Sequence, residues 1–317
     1  MRHLRAIKYS RGRIGNDPPN IMNPILLYNR KTRSVEEEVL YERRVMEFFY
    51  GSSVGFALTE WLLRHRWATA FYARRMHSPG SRAKIAPFIR EYGIDPAELA
   101  RPVESFATFN EFFIRELKPE ARPIDRAPAH LISVADCRLA AWPIERGTVV
   151  PVKARAFTIA ELLRDEAQAA RYLGGWCLIF RLAPVDYHRF CFVDDGEQGP
   201  VRVINGFYRS VHPLSLRRMK AVFTENQREA CVLRTRNFGE VLHIDVGATG
   251  VGRIVQRFPG GGPARRGEEK GYFEFGGSTV ILLLGADVAE IDEDIRAYSA
   301  QGIETIVRYG EKIGRRR

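Results

Sequence analysis

A succession of short apolar runs, beginning after about residue 119, constrains the fold of this chain more than any other feature. The runs are rich in Val, Ile, Phe and Tyr and are separated by Gly, Pro, Asn or Asp; they read CLIFRLA, VRVINGFY, EACVLRTRN, EVLHIDVGA, VGRIVQRF, GYFEF and TVILLL. Such runs predict strands of a mostly antiparallel sheet that closes as a sandwich or barrel. One stretch among them, FTIAELLRDEAQAARYL, predicts a helix. We therefore expect a β-rich core over residues 119–317.

The first third of the chain has a different pattern. Residues 1–34 are polar, basic and interrupted by prolines, which predicts an extended arm. Residues 35–118 carry apolar side chains at helical spacing, for example in VEEEVLYERRVMEFFY and VGFALTEWLLRHRWATAFYARRM. The whole chain is thus expected to be an α+β protein in which amphipathic helices precede a β-rich core.

The aromatic side chains of these helices allow two interpretations. Phe48, Phe49, Trp61 and Phe71 could pack on the β core. Alternatively the aromatic side chains, Trp67 among them, could lie at the headgroup depth of a membrane while neighbouring arginines contact anionic lipid. The second interpretation makes residues 35–118 a membrane-associating region. No run approaches the roughly 18 apolar residues that a membrane-spanning helix requires, so such a protein would lie on the membrane surface.

Charge and cysteine content narrow the classes of partner. The net charge of +11 indicates an anionic partner, either nucleic acid or an acidic membrane. Nucleic acid is disfavoured because the charge is spread along the chain without a recognisable reading motif. The four cysteines have no CxxC spacing, which predicts a reducing compartment and no zinc or other metal site. No apolar segment of a signal peptide follows the basic N-terminus.

Two glycines and a serine stand at the start of the most apolar run, in KGYFEFGGSTVILLL. Glycine weakens strands, so Gly276, Gly277 and Ser278 predict a bulge, a bend or a close backbone approach. The alternative is that the Gly277–Ser278 bond reacts. The serine hydroxyl would attack the glycine carbonyl to form an ester, and elimination from this ester would leave a dehydroalanine. Its imine tautomer would hydrolyse to a pyruvoyl group with loss of ammonia. This ketone is an electrophile that no natural side chain supplies.

The surrounding motifs carry more information than the GGST string alone. In chain order they read ISVADCRLAAWP, RLAPVDYHRFCFVDDG, FTENQREACVL, VGATGVGRIVQ and EEKGYFEFGGSTVILL. In this order they resemble the phosphatidylserine decarboxylase family, and in particular its subgroup with GGST at the cleavage site. The resemblance extends over nearly all of the chain beyond the N-terminal arm.

The resemblance implies a proenzyme that cleaves itself between Gly277 and Ser278. The products would be a β chain of residues 1–277 and an α chain of residues 278–317. The covalent pyruvoyl cofactor would derive from Ser278 and would cap the α chain.

The resemblance also implies residue roles, a substrate and a location. Asp136 and Ser278 match members of the family's Asp–His–Ser set for self-cleavage, and His188 matches a histidine linked to decarboxylation. The substrate would be phosphatidylserine and the product phosphatidylethanolamine. The protein would be a peripheral one on the cytoplasmic face of the cell membrane, bound to anionic phospholipid and with a homodimer as one expected assembly.

One position of the processing site does not fit the family pattern, and Val134, Cys137 and Val193 nearby also depart from it. The family's processing histidine lies three residues after the one matched by His188, and Cys191 occupies that place here. A neutral thiol is a poor proton acceptor, and a nearby Asp136 would disfavour the thiolate. His188 or His212 could supply the base instead. Two other functions stay open: a related decarboxylase of a free, for example aromatic, amino acid, and an uncleaved lipid-binding homologue.

Overall fold

The computed structural model describes residues 23–40, 43–64, 74–145, 150–152, 155–207, 209–218, 222–248, 253–276 and 278–317. Within these ranges the protein is α+β, as predicted. The α-helices are α1 Arg43–Gly51, α2 Ser53–Arg64, α3 Ile85–Tyr92, α4 Phe109–Phe113, α5 Ile159–Leu163, α6 Glu166–Ala170, α7 Pro213–Arg218, α8 Val222–Glu225 and α9 Glu293–Ser299. Short 3₁₀ helices cover Pro79–Lys84, Pro96–Glu98, Val103–Ser105 and Pro119–Ala121.

The strands outnumber the helices along the second half of the chain. Their bounds are β1 Leu26–Asn29, β2 Ser34–Glu37, β3 His130–Ile132, β4 Cys137–Pro143, β5 Val150–Val152, β6 Arg155–Phe157, β7 Trp176–Leu182, β8 Arg189–Cys191, β9 Gly196–Gln198, β10 Arg202–Ile204, β11 Arg228–Thr235, β12 Glu240–Gly247, β13 Ile254–Gln256, β14 Gly262–Ala264, β15 Glu269–Phe273, β16 Ser278–Leu284, β17 Ala289–Ile291, β18 Glu304–Val307 and β19 Lys312–Arg316.

An eleven-stranded sheet is the largest unit of the described structure. Its strand order is β14-β9-β11-β12-β16-β7-β4-β18-β1-β2, and β10 also pairs with β11. The pairing of β1 with β18 is parallel, and the other pairs of this sheet are antiparallel. Smaller sheets have the orders β13-β15-β8 and β17-β19-β3, and β5 pairs with β6. The predicted mostly antiparallel core is confirmed.

Strand β16 occupies a central place in the large sheet. It lies between β12 and β7, and all seven of its residues are buried. Its side chains alternate between two faces, as the pleat of a strand requires. Val280 and Leu282 pack in one hydrophobic cluster with Phe273 of β15, whereas Ile281 packs in a second cluster with Leu162 of α5. Burial on both faces explains why TVILLL is apolar throughout.

The last part of the predicted N-terminal arm belongs to the large sheet. Residues 26–29 form β1, which pairs with β18 and β2 in the large sheet. Leu27 is buried, and Tyr28 stacks on Tyr298 with ring centroids 4.0 Å apart. These contacts attach residues 26–29 to the core, whereas the basic composition of the surrounding sequence predicts an arm outside it. Residues 1–22 lie outside the described residues, and the domain boundaries at 34 and 118 stay a prediction.

The single helix predicted over FTIAELLRDEAQAARYL is two helices, α5 and α6. Arg164 has a positive φ of 52° and ends the first helix. Asp165 begins the second, because its carboxylate accepts a hydrogen bond from the Gln168 N–H at 3.0 Å. Thr158 and Glu161 form a reciprocal capping box at the start of α5. Local capping therefore overrides the continuous helical pattern.

Candidate active site

Ser278 is the first residue of β16 and is completely buried. It lies opposite Gly247 of β12 and Leu182 of β7. Gly276, two residues before it, has a φ of 146°, a backbone conformation that favours glycine. Gly277, the other side of the predicted cleavage site, lies outside the described residues. Ser278 is thus fixed at the start of a paired strand, two residues after a glycine with a positive φ.

His188 contacts the Ser278 hydroxyl. Its Nδ1 lies 3.2 Å from Ser278 Oγ, and its Nε2 lies 3.0 Å from the carbonyl oxygen of Ala183. A carbonyl can only accept a hydrogen bond, so Nε2 carries the proton and Nδ1 has a free lone pair. The Ser278 hydroxyl therefore donates to Nδ1. This is the relation between a serine and a general base that can take its proton.

The surroundings of His188 keep its imidazole neutral. The ring is fully buried and stacks on Phe113 with centroids 3.9 Å apart. Burial, followed by the positive charge of Arg115, lowers the pKa of His188 to about 3, although the Ala183 hydrogen bond acts in the opposite direction. A neutral imidazole is the form that can accept a proton. The site thus holds a base that stays unprotonated over the whole physiological range.

Helix α4 contacts both His188 and Phe275, the residue three positions before Ser278. Phe113 supplies the ring under His188 and also packs edge-on against Phe275, with centroids 4.9 Å apart. Asn110 is buried, and its Oδ1 accepts a hydrogen bond from the Phe275 N–H at 2.8 Å. The helices predicted over residues 35–118 include FNEFF, but that prediction gives Asn110 no role at the active site. The signal it missed was a lone amide among phenylalanines that needed a buried partner.

The loop between β7 and β8 presents His188. Asp186 pairs with Arg138 of β4, and its carboxylate also accepts a hydrogen bond from the Ala183 N–H at 2.7 Å. These contacts close a tight turn that points the Ala183 carbonyl at the imidazole. Asp186 therefore positions the loop and the histidine tautomer, and does not contact Ser278.

Asp136 lies between β3 and β4 and is held by other groups. Its carboxylate accepts hydrogen bonds from Arg122, the shortest at 2.6 Å, and from the Tyr309 N–H at 2.8 Å. Among the described residues it forms no hydrogen bond to His188, Ser278 or the Cys191 thiol. The structure thus places Asp136 next to the active-site region without completing a hydrogen-bonded Asp–His–Ser chain.

Cys191, in β8, does not contact Ser278 among the residues with described positions. Its Sγ faces the Ser133 carbonyl oxygen at 3.9 Å, and burial raises the pKa of its thiol to about 12. The thiol is therefore protonated and is not a base. The sequence also predicts a protonated thiol, but the main cause in the structure is burial and not the charge of Asp136.

The remaining sequence-predicted groups lie elsewhere. His212 is at the start of α7, where its Nδ1 accepts a hydrogen bond from the Leu214 N–H at 3.2 Å. Burial lowers its pKa to about 4. Trp67 lies outside the described residues, as does the side chain of Trp61. In the described part of the chain, no group of three metal-ligating side chains occurs, and no helix is long and apolar enough to cross a membrane.

A buried serine that follows a glycine and donates to a neutral histidine is the arrangement expected of a self-processing chain. The family model of phosphatidylserine decarboxylase matches residues 109–315. The phosphatidylserine decarboxylase proenzyme of Clostridium perfringens (strain SM101 / Type A) is 42% identical over 291 residues, which is 92% of this chain and 99% of the relative. That of Desulfitobacterium hafniense (strain Y51) is 41% identical over 291 residues, covering 92% and 98%. This chain belongs to the phosphatidylserine decarboxylase family.

Proposed function

We propose that this protein is a proenzyme that cleaves itself between Gly277 and Ser278 and then decarboxylates phosphatidylserine to phosphatidylethanolamine and CO₂. The observation that carries the proposal is the hydrogen bond from the buried Ser278 hydroxyl to the free Nδ1 of His188. Mass spectrometry of the purified protein tests cleavage, and release of CO₂ from phosphatidylserine vesicles tests the reaction. A single full-length mass without decarboxylation would favour the uncleaved lipid-binding alternative.

Cleavage begins with proton transfer from Ser278 Oγ to His188 Nδ1. The oxygen attacks the Gly277 carbonyl carbon, the C–N bond breaks, and the nitrogen takes up the proton as the ester forms. Removal of the Ser278 Cα proton then expels the upstream chain as a carboxylate. Water replaces the nitrogen of the remaining dehydroalanine, which releases ammonia and leaves the ketone. His188 needs no prior deprotonation for the first step, because it is already neutral.

Ser278 and its surroundings fit a pyruvoyl group. The serine that would be converted is buried, lies on a paired strand and contacts a positioned histidine. When present, the group supplies an electrophilic carbonyl that takes the substrate amine and accepts the electrons of the breaking C–C bond. The protein's own part in decarboxylation would be to exclude water through Phe113 and Phe275 and to move a proton. The neutral His188 would take one at Nδ1 from the substrate ammonium group and pass it to the carbon that loses CO₂.

Cys191 should be dispensable for cleavage. Cys191→Ala is expected to leave the rate of fragment appearance unchanged, because the thiol is protonated and does not contact Ser278. Cys191→His, which restores the family's residue, should also change the rate little if His188 already acts as the base. Both rates can be read from denaturing gels of protein sampled during synthesis in vitro. A large acceleration by Cys191→His would instead show that the native chain lacks a processing base.

Helices α1 and α2 are the proposed membrane-contacting surface. Their inward side packs in a hydrophobic cluster through Phe49 and Phe56, whereas Phe48 and Val54 are 53% and 74% exposed. Core packing accounts for only the inward side of these helices and does not account for their exposed apolar side chains. The exposed apolar side chains and the net charge of +11 support attachment to anionic phospholipid. A peripheral location on the cytoplasmic face and a homodimer remain predictions.

Loss of exposed apolar side chains should weaken vesicle binding. The double variant Phe48→Ser, Val54→Ser is expected to bind phosphatidylserine vesicles at least tenfold more weakly. Complete burial of such side chains is worth about 1.5–3 kcal/mol each, and tenfold in affinity requires only about 1.4 kcal/mol. Val203→Ser is the control, because Val203 in β10 is also exposed, at 52%. Cosedimentation at two salt concentrations measures binding, which salt should weaken because charges are screened over about 8 Å at physiological ionic strength. Equal loss in the control variant would argue against a specific surface.

A further inference from the structure

Arg115 differs from most buried arginines of this protein in lacking a paired carboxylate. It follows α4 and is 5% exposed. Its Nη2 donates to the carbonyls of Val185 and Asp186, at 3.2 Å each. Its Nε and Nη1 are buried and have no hydrogen-bond partner among the described residues. Other buried arginines form ion pairs with Asp or Glu: Arg138, Arg181, Arg189 and Arg266.

The unpaired nitrogens of Arg115 are unexpected on physical grounds. A buried cation without a paired anion is strongly disfavoured, and a buried N–H without an acceptor adds to that cost. Burial accordingly lowers the pKa of Arg115 to about 10. The neighbouring carboxylates of Asp136 and Asp186 act on its charge through space but do not form ion pairs with it. The guanidinium therefore has capacity for one more anionic partner.

Arg115 lies at the candidate active site. The two carbonyls that it binds belong to the loop that presents His188, and its charge is one of the causes of the low pKa of His188. Arg228 also has unpaired nitrogens, but its Nη1 donates to three backbone carbonyls around α8, and its charge does not figure among the influences on His188. Arg115 thus differs from Arg228 in lying beside His188, although both have nitrogens without a hydrogen-bond partner among the described residues.

We propose that Arg115 is a substrate-binding residue whose unpaired Nε and Nη1 donate to an oxyanion of the substrate. The proposal rests on the proposed function, because that function brings an anionic lipid headgroup to His188 and Ser278. The headgroup has two oxyanions, a phosphodiester and a carboxylate, and guanidinium binds either. The anion would neutralise a buried positive charge beside His188 at the moment when substrate is present.

Kinetics of matured variants tests the proposal. Arg115→Met removes the charge while keeping an unbranched side chain, and Arg115→Lys keeps the charge without the guanidinium donors. For phosphatidylserine in mixed micelles, Arg115→Met should raise KM about 10- to 100-fold, the range expected for loss of a charged hydrogen bond, with a smaller change in kcat. Arg115→Lys should recover part of the loss. A purely structural role would instead lower the amount of active enzyme and leave KM unchanged.

Two soluble inhibitors distinguish the sources of the anion. Glycerophosphoethanolamine has the phosphodiester without a carboxylate, and free serine has the carboxylate without a phosphate. If Arg115 binds the phosphodiester, Arg115→Met weakens inhibition by the first compound; if it binds the carboxylate, the variant weakens inhibition by the second.

Three results would separate this proposal from the proposed function. Failure of the native protein to cleave or to decarboxylate would overturn the proposed function itself. An active native enzyme with an unchanged KM in Arg115→Met would overturn only the role of Arg115. Loss of cleavage in both Arg115→Met and Arg115→Lys would place Arg115 in folding or maturation, and would likewise overturn a substrate-binding role.

Discussion

A Ser278→Ala variant should accumulate as one uncleaved chain and should have no decarboxylase activity. The variant lacks the hydroxyl that donates to His188 Nδ1, so neither the ester nor the pyruvoyl group can form. The native protein should instead yield a small fragment that begins at residue 278 with a blocked N-terminus. Denaturing gels and intact-mass measurement distinguish the two outcomes.

Thr279→Val is the matched control for this experiment. Thr279 is the next residue of β16, is equally buried, and has a hydroxyl without a hydrogen-bond partner among the described groups. Valine keeps its shape, so this variant should cleave like the native chain. Cleavage of the Ser278→Ala chain at the same bond would rule out Ser278 as the nucleophile, whereas failure of both variants would indicate a folding defect.

His188→Gln should slow self-cleavage by about 10²- to 10⁴-fold, the usual contribution of a positioned general base. Glutamine retains an N–H that can donate to the Ala183 carbonyl, but it has no basic lone pair for Ser278. His212→Gln is the control, because His212 is also buried but contacts the backbone of α7. A time course of fragment appearance measures both rates. Slow cleavage in His212→Gln with normal cleavage in His188→Gln would assign the base to His212.

The pH dependence of cleavage gives a second measure of the same base. His188 has a pKa of about 3, lowered mainly by burial, so it stays neutral as the pH falls from 8 to 5. The first step should therefore be nearly independent of pH in this range. A base with the ordinary histidine pKa of about 6.5 would lose about 30-fold in rate by pH 5. A decline of that size in the native protein would contradict a base with the environment of His188.

The β core was predictable from the sequence because each strand is indicated by the apolar residues of its own short run. TVILLL is apolar throughout, and β16 is buried on both faces. β1 was missed because its assignment depends on β18, more than 270 residues further along the chain. No local rule in LLYN reveals that partner.

The candidate site was predictable only in part. The order of motifs brought Ser278 and His188 into one hypothesis, and the structure places them in contact across 90 residues of chain. The role of Asp136 in self-cleavage stays a prediction, and its carboxylate is held by Arg122 and the Tyr309 N–H. The sequence does not single out Arg115, because the lack of hydrogen-bond partners for its Nε and Nη1 in the described structure depends on residues that are distant along the chain.

The position of Ser278 at the start of a central strand changes how the mature protein would unfold. Cleavage there leaves β16, β18 and β19 on the small chain, where they pair with β12, β7, β4, β1 and β3 of the large chain. The precursor folds as a single molecule, but the mature protein would be a complex of two polypeptides that share one core. Its refolding would be a second-order reaction, and its apparent stability would depend on protein concentration. We therefore expect folding to be complete before the chain is cut, because two separate chains would first have to associate in order to fold.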